Sequence, residues 1–289
     1  WLDQGRPTGP VLAEAGPGRG TLMADALRAL RQVPGFPARV DLVEASPALR
    51  AAQAERLSGQ PVTWHDTVAT LPEAPLFLVA NEFLDALPIR QFRRDPAGWR
   101  EVMVGLGEGA LTRALSDPAP IAALDHRLAD TAPGEIVEFR PALPGVVAEI
   151  AGRIGRHGGA ALFVDYGDWR SRGDTFQAVA RHMSTDPLGA PGAADLTAHV
   201  DFGAVARAAQ EAGAAPTAMV AQGEWLERLG IGARMQALAA AHPGRTADLQ
   251  AAYRRLTHPE EMGSLFRVIG LHPPDQPLPA GLTPRRSSR

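Results

Sequence analysis

The sequence contains no cysteine and no lysine. Without cysteine there is no disulfide bond, no thiolate zinc site and no cysteine nucleophile, and the absence agrees with a reducing compartment. All 29 basic residues are therefore arginine. We attribute this bias to genome composition, and it favours the bacterial cytoplasm as the location.

Other features are also missing. No stretch is apolar for the length that a membrane span requires, and no G-x-S-x-G nucleophile elbow occurs. The eight histidines form no close pair at helical ligand spacing, so we predict no metal site. A net charge of −3 and a pI near 6.3 give no electrostatic reason to expect nucleic acid as a partner. The chain opens at Trp1 without an initiator methionine, and we expect that part of the natural N-terminus is missing.

What is present begins with a glycine-rich loop. Residues 11–20 read VLAEAGPGRG, an apolar run that contains Glu14 and is followed by Gly16, Gly18 and Gly20. The run suits a buried parallel strand, and the glycines allow the backbone to turn tightly against a ligand. The third glycine comes one position too early for a dinucleotide fingerprint. A carboxylate two residues before the loop suits an ammonium group, such as that of S-adenosylmethionine.

A second carboxylate completes the pattern of a nucleotide site. Glu44 ends the next apolar run, after a helix-like stretch over residues 21–32, so the three segments form a βαβ unit. In such units an acid at the tip of the second strand accepts hydrogen bonds from ribose hydroxyls. We predict that Glu44 binds the ribose of an adenosine ligand. An ordinary tight strand-to-helix turn is the alternative interpretation of the loop alone.

The remaining chain alternates strand-like and helix-like segments, which predicts an α/β fold with a doubly wound, Rossmann-like parallel sheet. Predicted core strands cover residues 11–15, 40–44, 62–64, 76–80 and 160–165, and a final strand covers 264–269. We divide the chain into the first part of the core (1–88), an inserted antiparallel β lobe with a following helix on the acceptor side (89–158), the rest of the core with helical additions (159–272) and a disordered tail (273–289). The segment 170–200 is predicted to be a long loop.

Polar side chains stand where the predicted strands end, and ligands bind at that edge of an open α/β sheet. Asp66 follows the third strand and is a candidate acceptor for an adenine amino group. Asn81, Glu82 and Asp85 follow the fourth strand, and Asp165 ends the fifth. Carboxylates at the mouth of a buried strand must be paired or functional. The alternative is that Glu82 or Asp85 caps a short helix or pairs with an arginine, namely Arg90, Arg93 or Arg94.

Several ordered motifs resemble those of the MidA-like methyltransferases, and the resemblance covers nearly the whole chain. They are EAGPGRGTLM (14–23), VEASP (43–47), WHD (64–66), ANEFLDALP (80–88), VDYG (164–167), RGDTF (172–176) and ADLTAHVDF (194–202). The resemblance implies a class I fold that uses S-adenosyl-L-methionine. It also implies a further segment before the glycine loop, which helps to close the cofactor site.

The family includes a mitochondrial enzyme that symmetrically dimethylates an arginine on the 49-kDa-type subunit of respiratory complex I and supports its assembly. The resemblance therefore implies a protein arginine methyltransferase, and a mitochondrial matrix location if the source is eukaryotic. In this interpretation Glu82 pairs with the acceptor guanidinium, Asp85 or Asp165 assists, and Asn81 orients the pair. Two roles are open for three further polar residues. They could line the acceptor side of the site, or they could cap a helix or brace a loop: Asp195, His199 and Asp201.

Other functions remain open, among them methyl transfer to a different acceptor. The protein could bind S-adenosylmethionine and act mainly as an assembly or scaffolding factor for a respiratory subunit. It could also be a nicotinamide-dependent oxidoreductase, although the position of the third glycine and the presence of Glu14 both argue against that function.

Overall fold

A computed structural model describes residues 1–37, 39–181 and 183–285. Its strands, in chain order, are β1 (Val11–Ala15), β2 (Arg39–Val43), β3 (Val62–His65), β4 (Leu76–Asn81), β5 (Arg90–Asp95), β6 (Gly98–Gly107), β7 (Ala110–Leu115), β8 (Ile136–Phe139), β9 (Gly159–Asp168), β10 (Gln177–Ala180), β11 (Met183–Thr185), β12 (Asp195–Thr197), β13 (Val200–Asp201), β14 (Ala215–Pro216), β15 (Val220–Ala221) and β16 (Phe266–His272). The helices are α1 (Thr21–Leu30), α2 (Pro47–Arg56), α3 (Leu143–His157), α4 (Phe202–Glu211), α5 (Gln222–Arg228), α6 (Ile231–Ala241), α7 (Thr246–Thr257) and α8 (Met262–Leu265).

The central sheet has the strand order β14-β16-β9-β4-β1-β2-β3. Strands β3, β2, β1, β4 and β9 run parallel, whereas β16 pairs antiparallel with β9. The chain moves outward from β1 to β3 and then returns to β4 on the other side of β1. The strand order reverses at β1, so a crevice is expected beside its carboxyl end. The predicted doubly wound sheet is thus confirmed, and its crevice lies at the glycine loop.

Helices cover both faces of this sheet. On one face α3 and α4 bury apolar side chains, among them Val147, Ile150 and Val205, against the strands. On the other face Met23 of α1 and Leu57, just after α2, pack against β1 and β2. Burial of these side chains contributes about 1.5–3 kcal/mol each relative to exposure. Helix α3, which the sequence analysis grouped with the insertion, therefore belongs to the main core.

The chain between β4 and α3 forms a separate antiparallel sheet with the order β7-β6-β5-β8. We call this sheet, with its loops, the lobe (residues 89–141). It has its own small core, in which Phe92, Trp99 and Val137 are each about 1% exposed. The turn at Asp95 joins β5 to β6, as the Asp-Pro-Ala-Gly sequence predicts. The predicted antiparallel insertion is present.

Two segments differ from the prediction. The predicted loop 170–200 contains the small sheet β11-β10-β12, whose strands of three or four residues are too short to show periodicity. The tail was predicted to be disordered, but residues 273–285 pack against the molecule. Leu282 is buried, and the Trp225 indole donates to the carbonyl of Ala280 at 3.1 Å. Residues 273–285 are ordered because apolar side chains of this proline-rich stretch, such as Leu282, are buried against the rest of the protein. Residues 286–289 lie outside the described part.

Within the described residues, no helix combines the length and apolar character needed to cross a bilayer. The same residues contain no group of three or more His, Asp or Glu side chains arranged to hold a metal ion.

Candidate active site

The glycine loop joins β1 to α1 at the crevice. Gly16, Gly18 and Gly20 all have positive φ values, of 66°, 52° and 74°. A Cβ at Gly16 would lie 3.0 Å from Cδ2 of Phe83, whereas a Cβ at Gly18 would enter open space. Gly16 is therefore needed for backbone conformation and for packing, and Gly18 keeps the surface of the loop accessible to a ligand.

Glu14 lies at the base of this loop and is 4% exposed. Its Oε2 atom is buried and has no hydrogen-bond partner among the described residues. Burial raises the pKa of this carboxyl group from 4.5 to about 7, and a hydrogen bond from the Met23 amide acts in the opposite direction. A buried carboxylate oxygen with no protein partner favours a cationic ligand group.

Glu44 directly follows β2, whereas the predicted strand 40–44 ended with it, and its carboxylate is linked through Gln53 to the glycine loop. Its Oε1 accepts from the Ser46 amide at 2.8 Å, and its Oε2 is 3.3 Å from Nε2 of Gln53. These contacts fix the carboxylate and leave acceptor positions for other donors. The position fits the predicted ribose contact.

Gln53 is a site residue that the sequence analysis missed. The side chain of this α2 residue is fully buried. Its Nε2 donates to the Gly18 carbonyl at 2.7 Å, and its Oε1 accepts from the Trp64 indole at 2.9 Å. Gln53 thus connects the glycine loop, Glu44 and β3. One buried amide in a polar helix gives no local sequence signal, because its partners come from three separate segments.

Asp66 lies after β3, at the same edge, but its side chain is 80% exposed and pairs with Arg50 at 2.7 Å. Its contact with adenine stays a prediction. The neighbouring His65 bonds to the buried Asp41 at 2.6 Å and to Thr70, as a polar packing residue does.

Asn81 is the last residue of β4, and the turn that follows it carries Glu82 and Asp85. Glu82 has a φ of 50°, which is unusual for a residue other than glycine. Its pKa is raised, first by partial burial and then by the charge of Asp85. The Asn81 amide lies 3.4 Å from Oε1 of Glu82. In the described chain, neither Glu82 nor Asp85 forms an ion pair with Arg90, Arg93 or Arg94, and Arg90 pairs with Glu101 instead.

The Asp165 side chain is buried beneath the turn after β4, whereas a catalytic group has to be accessible to the substrate. It is 1% exposed, and its Oδ2 accepts from the amides of Leu84 and Asp85 at 3.0 and 3.2 Å. Its Oδ1 accepts from the Tyr166 amide at 3.0 Å. Burial, together with the charge of Asp85, raises the pKa of Asp165 to about 8. Asp165 therefore holds the turn after β4 in place, and its predicted assistance to Glu82 stays a prediction.

Asp85 is the acid of this turn that is both buried and incompletely bonded. It is 4% exposed, and no described residue bonds its Oδ1 atom. Burial raises its pKa, opposed by the nearby Tyr166 hydroxyl and the charge of Arg140. Arg140 is buried too, and its guanidinium donates to the carbonyls of Ala198 and His199. Two carboxylates, Asp85 and Asp165, thus lie beside one buried arginine.

The three residues considered for the acceptor side have different surroundings in the structure. Asp201 caps α4, with its Oδ1 accepting from the Ala204 amide at 2.8 Å, and lies 3.6 Å from Arg127. His199 packs edge-on to Tyr166, with 5.5 Å between the ring centroids. Asp195 is exposed on β12. The cap role therefore accounts for Asp201.

This fold and its crevice define a class of enzyme: an α/β protein that binds a nucleoside cofactor with an ammonium group at the end of β1. The sequence matches, over residues 1–220, a family described as S-adenosyl-L-methionine-dependent methyltransferase. Two relatives are protein arginine methyltransferase NDUFAF7 of Xenopus tropicalis, 33% identical over 94% of this chain and 70% of its own length, and that of Homo sapiens, 33% identical over 94% and 68%.

A crystal structure from Burkholderia thailandensis with bound S-adenosyl-homocysteine superposes with a TM-score of 0.83 and 31% identity, covering 94% of this chain and 73% of that one. The chain belongs to the MidA-like family of S-adenosylmethionine-dependent methyltransferases. The predicted family, class I fold and cofactor are thereby confirmed.

The residues of this chain fit that cofactor. The unpartnered Oε2 of Glu14 is positioned for the ammonium group, and the open side of Gly18 allows close approach of a ligand to the backbone. Glu44 has free acceptor positions for ribose hydroxyls. No cation of the described chain neutralises Glu14 through a salt bridge, so the cofactor would supply the missing charge.

Proposed function

We propose that this protein methylates an arginine side chain of another protein, giving symmetric dimethylarginine, and that its substrate is a complex I subunit of the 49-kDa type whose assembly it supports. The names of the relatives support an arginine acceptor. The observation that carries the proposal is the pair of acids in the turn after β4, which have no basic partner within hydrogen-bond distance in the described chain. The proposed compartment is the bacterial cytoplasm, or the mitochondrial matrix in a eukaryote.

When bound, S-adenosylmethionine supplies an electrophilic methyl group on a sulfonium. The protein has to hold the acceptor nitrogen in line with the breaking bond and exclude water. Glu14, the glycine loop and Glu44 orient the donor, while Asp165 fixes the turn that carries the acceptor-binding acids.

A guanidinium is protonated at every physiological pH, so its nitrogen lone pairs are delocalised. Glu82 and Asp85 draw the positive charge toward the nitrogens that they contact, and this makes the remaining nitrogen more nucleophilic. Their raised pKa values also make either acid better able to take up the proton released on transfer.

The test is Glu82→Gln, with Glu108→Gln as the matched control, because Glu108 has nearly the same φ, 49°, in the β6–β7 turn. Each variant is incubated with methyl-labelled S-adenosylmethionine and extract from cells lacking the gene, and the labelled residue is identified after hydrolysis. We expect dimethylarginine with wild type and Glu108→Gln, and at least a hundredfold loss with Glu82→Gln at unchanged cofactor affinity.

Transfer at the normal rate by Glu82→Gln would remove that residue from the mechanism. Absence of label with wild type, at intact cofactor binding, would instead support the scaffolding function.

A further inference from the structure

A cleft of about 360 Å³ opens between the turn after β4, the lobe and β12. We call it the lobe cleft. Asp85 lies at one end of it, and Phe83, two residues earlier in the same turn, packs on Gly16 of the glycine loop. The turn that carries Asp85 therefore also contacts the glycine loop, so the lobe cleft begins next to the cofactor crevice. Its other lining residues include Ile89, Val102, Val104, Phe176, Leu196 and Thr197.

Buried acidic side chains outnumber the buried arginine at the inner end of the lobe cleft. The two arginines of its rim are each paired with an acid at 2.6 Å, Arg90 with Glu101 and Arg113 with Asp174. Asp85 and Asp165 share Arg140 as their neighbouring cation. In the described chain the Asp85 Oδ1 atom and the hydroxyl of Thr197 are buried without a partner. These unpartnered atoms favour a ligand group that carries hydrogen-bond donors, and a cationic one would also pair with the Asp85 carboxylate.

The outer wall of the lobe cleft is apolar and continues onto the surface. Residues 102, 104 and 106 alternate along β6 and so point to one face of the hairpin. Val104 is 53% and Leu106 is 78% exposed, and Leu111, which pairs with Leu106 across the hairpin, is 37% exposed. Leu196 adds a further exposed apolar side chain, 45% exposed, from β12.

We propose that the lobe cleft binds the acceptor: an arginine carried on an extended, apolar segment of the partner protein, with its guanidinium at Asp85 and its flanking residues along the hairpin face. This assignment rests on the proposed function, and it adds the binding site and the kind of sequence around the arginine. An extended segment lets alternate side chains contact the hairpin while the arginine reaches inward.

The proposal is tested on the full chain with Val104→Glu and Leu196→Glu. The matched control is Leu128→Glu, because Leu128 is 43% exposed on another part of the lobe. Initial rates of methyl transfer are measured against a dilution series of extract from cells lacking the gene, and S-adenosylhomocysteine affinity is measured by titration. We expect the cleft variants to raise the half-saturating extract concentration at least tenfold, with the control within twofold and cofactor affinity unchanged in all three. Cleft variants that match the control would overturn the proposal.

A second probe separates this proposal from the proposed function. Ethylguanidinium mimics the end of an arginine side chain, and its binding is followed by saturation-transfer NMR whether or not methyl transfer occurs. We expect binding to wild type and at least tenfold weaker binding to Asp85→Asn, provided that the variant's melting curve shows a folded protein. Equal binding to both would refute the assignment of the lobe cleft even if arginine methylation is observed.

Discussion

The cofactor crevice and the lobe cleft lie at the same edge of the central sheet, but the chain builds them differently. The crevice takes its predicted ligand-binding acids from the carboxyl ends of two neighbouring strands: Glu14 lies near the end of β1, and Glu44 directly follows β2. The lobe cleft is assembled from four separated segments: the turn after β4, the β6–β7 hairpin, residue Phe176 and the end of β12.

Because of this difference, we expect cofactor binding and acceptor recognition to depend on separate sets of residues. The crevice holds its acids by backbone and side-chain amides, so its geometry is fixed locally. The cleft depends on long-range contacts between the lobe and the chain after β9, such as the hydrogen bond that the Thr175 amide donates to Oε1 of Glu138 at 2.9 Å. Substitutions in the crevice should therefore change cofactor affinity alone, and substitutions in the cleft should change acceptor recognition alone.

Gly16→Val should give the largest effect on the crevice. The variant places a branched side chain at a φ of 66° and within 3.0 Å of Phe83. We expect at least a hundredfold loss of S-adenosylmethionine affinity in calorimetry. Gly59→Val is the control, because Gly59 has a φ of 82° and nothing within 4 Å of its Cβ position. It should lose a similar stability, about 1–2 kcal/mol, with cofactor affinity within twofold of wild type. Equal losses of affinity would mean that backbone strain alone, and not the crevice, is responsible.

Glu14 should make cofactor binding depend on pH. The ammonium group pairs with the ionised carboxylate, and the pKa of this group is about 7. Affinity should therefore fall about tenfold from pH 8 to pH 6, and Glu14→Gln should bind weakly at both pH values. A wild-type affinity that does not change over this range would contradict the pairing.

The same pKa predicts the opposite trend for stability without cofactor. The folded pKa is raised above 4.5, so the folded state binds more protons between pH 4.5 and about 7, and stability is lost as the pH rises through that range. Glu14→Gln should therefore melt at a higher temperature than wild type at pH 8 and show a smaller difference at pH 5. The rise in pKa corresponds to about 3 kcal/mol at most.

The crevice could be predicted from the sequence because its signals are local. An apolar run that contains an acid and precedes three glycines, with a second acid at the end of the next run, predicted that Glu14 and Glu44 stand at the carboxyl ends of β1 and β2, where the structure has them. Their contacts with the cofactor stay predictions. The motifs ANEFLDALP and VDYG begin near the end of β4 and within the second half of β9, so both stand toward the carboxyl edge of the sheet.

The rest could not be predicted, because local pattern does not show which partner satisfies a buried polar group. Asp165 ends a predicted strand, as a catalytic acid would, yet β9 continues to Asp168 and three backbone amides donate to the Asp165 oxygens. Gln53 resembles a surface residue of a polar helix. The order of residues 273–285 depends on contacts such as that between Leu282 and the glycine at position 270, which are distant in sequence.

Two buried glutamines, one beside the crevice and one beside the lobe cleft, allow the same substitution to be compared at both places. Gln53 joins the Gly18 carbonyl to the Trp64 indole, and Gln91 donates from its Nε2 to Glu138 at 2.9 Å and to Asp174 at 2.7 Å. Replacing either by leucine keeps the approximate volume and leaves polar groups unpaired, at a cost of about 1–3 kcal/mol in the free energy of unfolding, which urea titration measures.

Both variants are expected to lose similar stability. A difference between them in cofactor affinity or in acceptor binding therefore comes from where each glutamine lies and not from the loss of stability. Gln53→Leu loosens the glycine loop, and we expect cofactor affinity to fall about fivefold with half-saturation by the acceptor extract unchanged. Gln91→Leu loosens the contact between β5 and the segment at Asp174, and we expect the acceptor value to rise about fivefold with cofactor affinity unchanged. If both variants weakened the binding of cofactor and acceptor equally, the crevice and the lobe cleft would be structurally coupled. The prediction that each site can be altered independently would then be wrong.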